Sequence, residues 1–222
     1  MPVVTIRGQL GSGAPEIGKL VADKLHINYV DRDIIEQVAK RLTQKKREIE
    51  MKEMPPSRLA EKIAESFSRY GAVGVGPLGP QIAYLPAWEI PLDDTQYLIG
   101  LGRVIKDLAE SNSIVIRGRG SQFILKDYPV SLHILTIAPM ELRIKRVKEE
   151  MNLDENAARK EIARFDGSRR EFIKRYFQAE LENPIHYDLV INTEHLSYEA
   201  VASIVVGAVP LKDRPIDVSR TA

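Results

Sequence analysis

The residues best placed to do chemistry form one stretch, Gly8-Gln9-Leu10-Gly11-Ser12-Gly13-Ala14-Pro15-Glu16-Ile17-Gly18-Lys19, directly after the apolar run Pro2 to Ile6. The spacing is that of a phosphate-binding loop: a strand, a glycine-rich turn and a helix start. Such a turn aims backbone N–H groups at one point, and the helix dipole adds positive potential there. Gly8, Gly11 and Gly13 supply the tight conformations and the close backbone approach. Ser12 and the first helical turn complete the cradle. The full signature also needs Lys and then Ser or Thr, for the β/γ-phosphates and Mg2+. Ala14 and Pro15 hold those places here, followed by Glu16. Loss of one donor of transition-state charge costs about 10²–10³ in rate, so phosphoryl transfer by this chain needs a substitute cation. Lys19 is displaced around the helix. Arg7, Arg117 and Arg119 are better placed, because they come from strand ends at the same edge of a parallel sheet. A glycine-rich turn that binds nothing is the plainer alternative.

Phosphoryl transfer asks for alignment, cations around the equatorial oxygens and exclusion of water. Arg119, Arg164 and Arg169, together with Arg143, can bring guanidinium forks suited to phosphate. The competing account is that the helix arginines pair with Glu141, Glu149, Glu150, Glu161 and Glu171. Asp31 can hold Mg2+ through water or orient an acceptor, but helix capping alone also accounts for it. Capping or solvation suffices for Asp33. Asp166 either faces an acceptor or pairs with Arg169 or Arg170. His26, His133, His186 and His195 show no metal-ligand spacing and read as structural. With no cysteine in the chain, thiolate catalysis, disulfides and cysteine-bound zinc are excluded.

The elements that must position these groups follow from hydrophobic pattern. Val3 to Ile6 is a short β-branched strand and Ala14 to Leu25 a helix, with Pro15 tolerated in its first turn. Ile27 to Val30 is a second strand, and Asp31 caps a helix to about Leu42. Ser57 to Tyr70 is amphipathic. Gly71 to Pro91 is rich in Gly, Pro and apolar residues; it covers substrate, meets another subunit as in a homo-oligomer, or fills core. Asp93 to Glu110 is a helix, Ser113 to Ile116 a third strand and Ser131 to Ile137 a fourth. Met140 to Met151 and Asn156 to about Leu181 are charged helices. Tyr187 to Ile191 is a fifth strand, Ser197 to Val206 a last helix, and Leu211 to Ala222 a polar tail. Strands alternating with helices predict an α/β fold: a parallel sheet covered on both faces. The 222 residues suit one such domain, and the net charge of +1 gives no global field for nucleic acid or an anionic membrane. No secretory signal or membrane-spanning run is visible, so a cytoplasmic location is expected.

The chain resembles the cytidylate kinase-like family, a branch of the P-loop nucleoside monophosphate kinases. Gly11-Ser12-Gly13-Ala14-Pro15-Glu16-Ile17-Gly18 is similar to the branch's loop, Gly-Ser-Gly, a small residue, a variable one, then Glu-Ile-Gly. The missing lysine is therefore a trait of the branch. Tyr29-Val30-Asp31-Arg32-Asp33 resembles the Tyr-x-Asp segment after the second strand. Ile116-Arg117-Gly118-Arg119-Gly120-Ser121 lies where cytidylate kinases carry Asp-Gly-Arg-Asp, and Arg164-Phe165-Asp166-Gly167-Ser168-Arg169 resembles their arginine-bearing lid segment. Arg143 and Arg146 match arginines after the fourth strand. Both acids flanking the Gly-Arg pair are replaced, by Arg117 and Gly120. A helix arginine after the second strand falls near Gln37 with Arg32 close by, and an upstream lid arginine falls near Ile162.

The resemblance implies a three-layer P-loop kinase fold with a five-stranded parallel sheet. It implies one domain over residues 1–210, with a monophosphate-binding insert at about 43–92, a helical lid at about 140–182 and a tail at 211–222. It also implies transfer of the γ-phosphoryl of ATP, with Mg2+, to a nucleoside monophosphate, CMP or dCMP first. In that reading Gly8, Gly11, Ser12, Gly13, Ala14, Pro15 and Glu16 cradle the donor phosphates. Arg119, Arg164 and Arg169 neutralise transferring charge, while Asp31, Arg32 and Asp166 serve the acceptor. Two alternatives stay open: a nucleotide-binding regulatory or interaction protein without turnover, and a kinase for a non-nucleotide acceptor.

Overall fold

A computed structural model describes residues 2–32, Ile35 and residues 94–212. The strands are β1 (Val3–Gly8), β2 (Asn28–Val30), β3 (Ile114–Arg117), β4 (Ser131–Ile137) and β5 (Leu189–Asn192). The helices among the described residues are α1 (Ala14–Leu25), α2 (Asp94–Ser111), α3 (Ser121–Ile124), α4 (Met140–Met151), α5 (Glu155–Phe177) and α6 (Tyr198–Lys212), with a 3₁₀ turn at Pro184–His186. The five strands form one sheet in the order β2-β3-β1-β4-β5, parallel throughout. The predicted α/β architecture is therefore present.

The strands read as near-continuous apolar runs because both sheet faces are covered. Alternation along β1 sends Val3 to one face and Val4 and Ile6 to the other. On the first face Val3, Ile114 and Ile116 pack with Leu101, Val104, Ile105 and Leu108 of α2 and with Phe172 and Ile173 of α5. On the second, Val4, Ile6 and Val115 pack with Ile17 and Val21 of α1 and with Val201 and Val205 of α6. A third cluster joins Leu10 to Ile144, Val147, Ala158, Ile162 and Phe165 of the α4–α5 hairpin, so the hairpin closes directly on the loop after β1.

Element boundaries moved where local signals compete. The fifth α-helix stops at Phe177, short of the expected Leu181, where Gln178 turns left-handed at φ 51°. The last helix runs through Pro210 to Lys212 instead of stopping near Val206. A proline costs only one hydrogen bond that near a helix end, and the Lys212 ammonium pairs with Asp188, anchoring the last turn. The four-residue helix α3 had no sequence signal. The helix expected to continue to Leu42, Asp33, the amphipathic 57–70 stretch, the 43–92 insert with its 71–91 segment, and the tail from residue 213 lie outside the described residues.

The chain crosses sides of the sheet between β3 and β4, which flank β1. In open α/β sheets the crevice at the carboxyl ends of strands at such a switch point is where ligands bind. The register sets Ile6 beside Arg117 and Gly8 beside Thr136, so the loops after β1, β3 and β4 meet there.

His133 is structural, as expected. It is buried, with Nδ1 bonded to the Thr5 hydroxyl at 2.7 Å and Nε2 to the Ser131 hydroxyl at 3.1 Å. Burial pushes its pKa down, more than Asp188 pushes it up. As pH falls below about 6.5 the unfolded chain takes up this proton before the folded one does. The contribution of His133 is therefore complete above that pH and is lost as pH falls towards the depressed folded value. Urea midpoints at pH 7.5 and 5.5 are expected to show this loss, and His133→Gln is expected to flatten it. An equal pH slope in both proteins would refute the assignment.

Candidate active site

A pocket at the switch point is lined by Arg7, Arg32, Arg117, Arg119 and Arg169, with Gly8, Gly118, Gly120, Gln122, Ser168, Phe172 and Ile173. The arginines arrive from separate elements: Arg7 from the end of β1, Arg32 from the helical residues after β2, Arg117 from the end of β3, Arg119 from the following loop and Arg169 from α5. Arg117 is held by Asp31 in a two-bond fork, Nε to Oδ1 at 2.9 Å and Nη2 to Oδ2 at 2.7 Å. Asp31 is thus committed to orienting Arg117. Beside it, burial and the Asp31 charge push the Tyr29 hydroxyl up, so that ring stays neutral.

Arg119 sits in a run of three left-handed residues, with φ 84° at Gly118, 55° at Arg119 and 69° at Gly120. The glycines take that conformation freely, but an arginine does not. The turn presents the Arg119 guanidinium over the Phe172 ring, 5.9 Å from its centroid. Arg169 donates from Nη1 to the Phe165 carbonyl at 3.1 Å. Desolvation first, then the positive charges of Arg32, Arg7, Arg117 and Arg119, hold Arg169 well below its usual pKa. The pocket therefore concentrates positive charge around Arg169.

The glycine loop has fewer donors to offer than its spacing suggests. Gln9 N–H donates to Thr136 O at 3.2 Å and Ser12 N–H to Gln9 O at 3.0 Å, while Leu10 N–H donates to Asp166 Oδ1 at 3.1 Å. Pro15 has no N–H. Ser12 is fully buried, its hydroxyl donating to Gln9 O at 2.8 Å and sharing a bond with Thr136 Oγ1 at 2.7 Å. Gly13 ends the loop at φ 85°, and a Cβ there would stand 2.3 Å from the Tyr198 ring. Ala14 is buried behind it and Glu16 is exposed. Among the described residues no hydrogen bond takes up the amides of Gly11, Gly13 and Ala14, so the loop's anion-binding capacity rests on those few groups.

The α4–α5 hairpin grips the loop. Arg143 is buried; its Nε donates to Leu10 O at 2.8 Å and its Nη2 pairs with Asp166. Both polar groups of Leu10 are thus held by one buried ion pair. On the loop's other side Arg146 donates to Gly11 O at 3.1 Å and to Thr193 Oγ1 at 2.9 Å, and lies 5.2 Å from the Tyr198 ring centroid. Thr193 in turn donates to Ser12 O at 3.1 Å.

Of the expected catalytic arginines the structure brings Arg119 and Arg169 into one pocket, with Arg32. It places Arg164 elsewhere: Arg164 pairs with Glu161 at 2.7 Å on a solvent-facing side, as the competing account had it. Asp166 faces the loop and Arg143. Arg7 and Arg117, weighed only as substitute cations, line the pocket itself. Thr136, Thr193, Tyr198 and Phe172 carry no motif and were not anticipated. Among the described residues no cluster of three or more His, Asp or Glu is arranged for a metal ion, and no helix is long and apolar enough to cross a membrane.

A sequence profile described as the cytidylate kinase-like family matches residues 3–195. A cytidylate kinase from Archaeoglobus fulgidus is 27% identical, covering 96% of this chain and 98% of its own. A cytidylate kinase from Methanocaldococcus jannaschii is 24% identical, covering 93% and 97%. In structure, a protein from Eubacterium ventriosum superposes with a TM-score of 0.67 at 17% identity, covering 95% of this chain and 99% of its own. A sugar kinase from Janibacter sp. gives 0.51 at 14% identity, covering 96% of each. Those two likenesses speak to the fold alone. The strand order, the glycine loop after β1 and the profile match over most of the chain converge: this chain belongs to the cytidylate kinase-like family.

Proposed function

We propose that this protein is a nucleotide kinase that moves the γ-phosphoryl group of ATP to an anionic acceptor seated in the arginine pocket, with CMP or dCMP the first acceptor. The observation that carries this reading is the convergence of Arg7, Arg32, Arg117, Arg119 and Arg169 beside Gly8. Guanidinium forks match phosphate oxygens in pairs, and such charge, fixed before the reaction, lowers the barrier where negative charge spreads over the transferring group. Phe172 and Ile173 supply the apolar part of the pocket's lining. Asp31 keeps Arg117 aimed, and Arg143 with Asp166 keeps the loop in place.

The described residues are a poor match for a protein-held divalent cation. Pro15 supplies no hydroxyl, Ser12 is buried in bonds to Gln9 and Thr136, and Asp31 is spent on Arg117. Mg2+ would enter on the nucleotide phosphates. Gln122 and Ser168 are already bonded to Tyr187 and Phe165. That favours, as second reading, an acceptor other than a nucleotide, because the pocket's described lining keeps few polar groups to read a base.

The test is ADP release by the full chain with ATP, Mg2+ and a panel of nucleoside monophosphates and sugar phosphates. Release stimulated by CMP or dCMP is the expected result. Stimulation only by a non-nucleotide favours the second reading. ATP binding without acceptor-dependent release would make the protein a nucleotide-binding regulator, and absence of ATP binding would overturn the proposal.

A further inference from the structure

Arg7 is 8% exposed. Its Nε and Nη2 are buried without a hydrogen-bond partner, and among the described residues no ion pair engages it. Burial holds its pKa down to about 10, against the favourable charges of Tyr187, Asp166 and Glu182 and the opposing charge of Arg170. An arginine remains charged at neutral pH, so this is a desolvated cation with its donors unspent. The position is otherwise suited to an apolar residue: it follows Val3, Val4, Thr5 and Ile6 in the central strand, all buried. Retaining an unsatisfied buried charge there is unfavourable unless something else completes it.

The surroundings say what completes it. Arg7 immediately precedes Gly8, at the carboxyl end of β1, and lines the same pocket as Arg169. The two cations sense each other, since the charge of Arg7 is among those that depress Arg169. Phe172 and Ile173 cover one side of the pocket, so an anion between the guanidiniums would meet them with little competition from water. A tetrahedral oxyanion with two negative charges offers enough acceptor oxygens for two forks, which a carboxylate does less well.

We propose that Arg7 and Arg169 form an inner anion subsite for a phosphorus oxyanion, a phosphate dianion or the phosphoryl group in transfer, and that Arg7 supplies the charge that Ala14 cannot. The second half rests on the kinase reading above. In that step an oxygen of the acceptor bonds to the γ-phosphorus as the bond to the bridging oxygen breaks, and ADP leaves with the electron pair. A phosphate dianion as acceptor has no proton to lose. Arg7 would stabilise the equatorial oxygens throughout.

Thermal unfolding of the full chain with inorganic phosphate tests the subsite without any turnover. Phosphate up to about 10 mM is expected to raise the wild-type Tm. Arg7→Met is expected to start at an equal or higher Tm, because it removes a buried unsatisfied charge, and to lose most of the phosphate shift. Arg7→Lys should keep part of the shift, and Arg159→Met, at an exposed arginine paired with Glu141 and Glu155, should keep all of it. With ATP and a competent acceptor, Arg7→Met is expected to lower kcat by about 10²–10³ with the KM for ATP unchanged. No phosphate shift in wild type, an unchanged shift in Arg7→Met, or a lower starting Tm in both Arg7 variants would each overturn the proposal. If no acceptor turns over while the phosphate results hold, the kinase reading falls and the subsite stands.

Discussion

Asp166→Ala is expected to destabilise the protein by about 3–5 kcal/mol, the usual consequence of stranding a buried partner charge. The stranded group is Arg143, whose side chain is 4% exposed. The loss does not stop at the pair, because Asp166 Oδ1 also accepts from Leu10 N–H and Arg143 Nε donates to Leu10 O. For a chain of this size the corresponding fall in Tm is about 6–20 °C. The double variant Arg143→Met with Asp166→Leu separates stability from function. Replacing both charges with apolar groups of similar volume should recover much of the stability. It should not recover ATP binding, because Leu10 then loses both tethers and the glycine loop is no longer fixed between hairpin and sheet. A double variant that binds ATP as wild type does would show that the pair only fills space.

Much of this was legible in the chain, for physical reasons. Val3 to Ile6, Ile114 to Ile116 and Leu132 to Leu135 are apolar runs that only a sheet covered on both faces can bury. Once the strands are parallel, Arg7, Arg117 and Arg119 must share the carboxyl edge. Helical period also carried information that the motif obscured. Arg164 and Arg169 are five residues apart, about 140° around a helix, so both cannot face one pocket. Phe165, Arg169, Phe172 and Ile173 fall on one side, which is the side the pocket uses. What could not be read were contacts between remote segments. Nothing local to Asp166 says that it reaches Leu10, 156 residues away, and nothing local to Thr193 or Tyr198 says that they brace Ser12 and Gly13. Those depend on how the hairpin and the last helix dock, which is set by summed packing and not by any short motif.

Arg119 offers the clearest separation of catalytic use from folding. Its φ of 55° lies between two glycines that are also left-handed, and a side chain there costs about 1–2 kcal/mol relative to glycine. A third glycine would make this turn cheaper. An arginine held there against its backbone preference points to a use for the guanidinium, since strain of this kind persists where function requires it. Arg119→Ala and Arg119→Gly both remove the guanidinium and its contact with Phe172. They differ only in the backbone. Arg119→Gly is therefore expected to be about 1 kcal/mol more stable than Arg119→Ala, measured by urea unfolding. Both should lower acceptor-dependent ADP release by about 10²–10³, the effect of removing one donor to transition-state charge. Equal stability would mean that the turn relaxes to another conformation without the arginine. Turnover close to wild type in the glycine variant would remove Arg119 from the chemistry and leave the charge at the pocket to Arg7, Arg117 and Arg169.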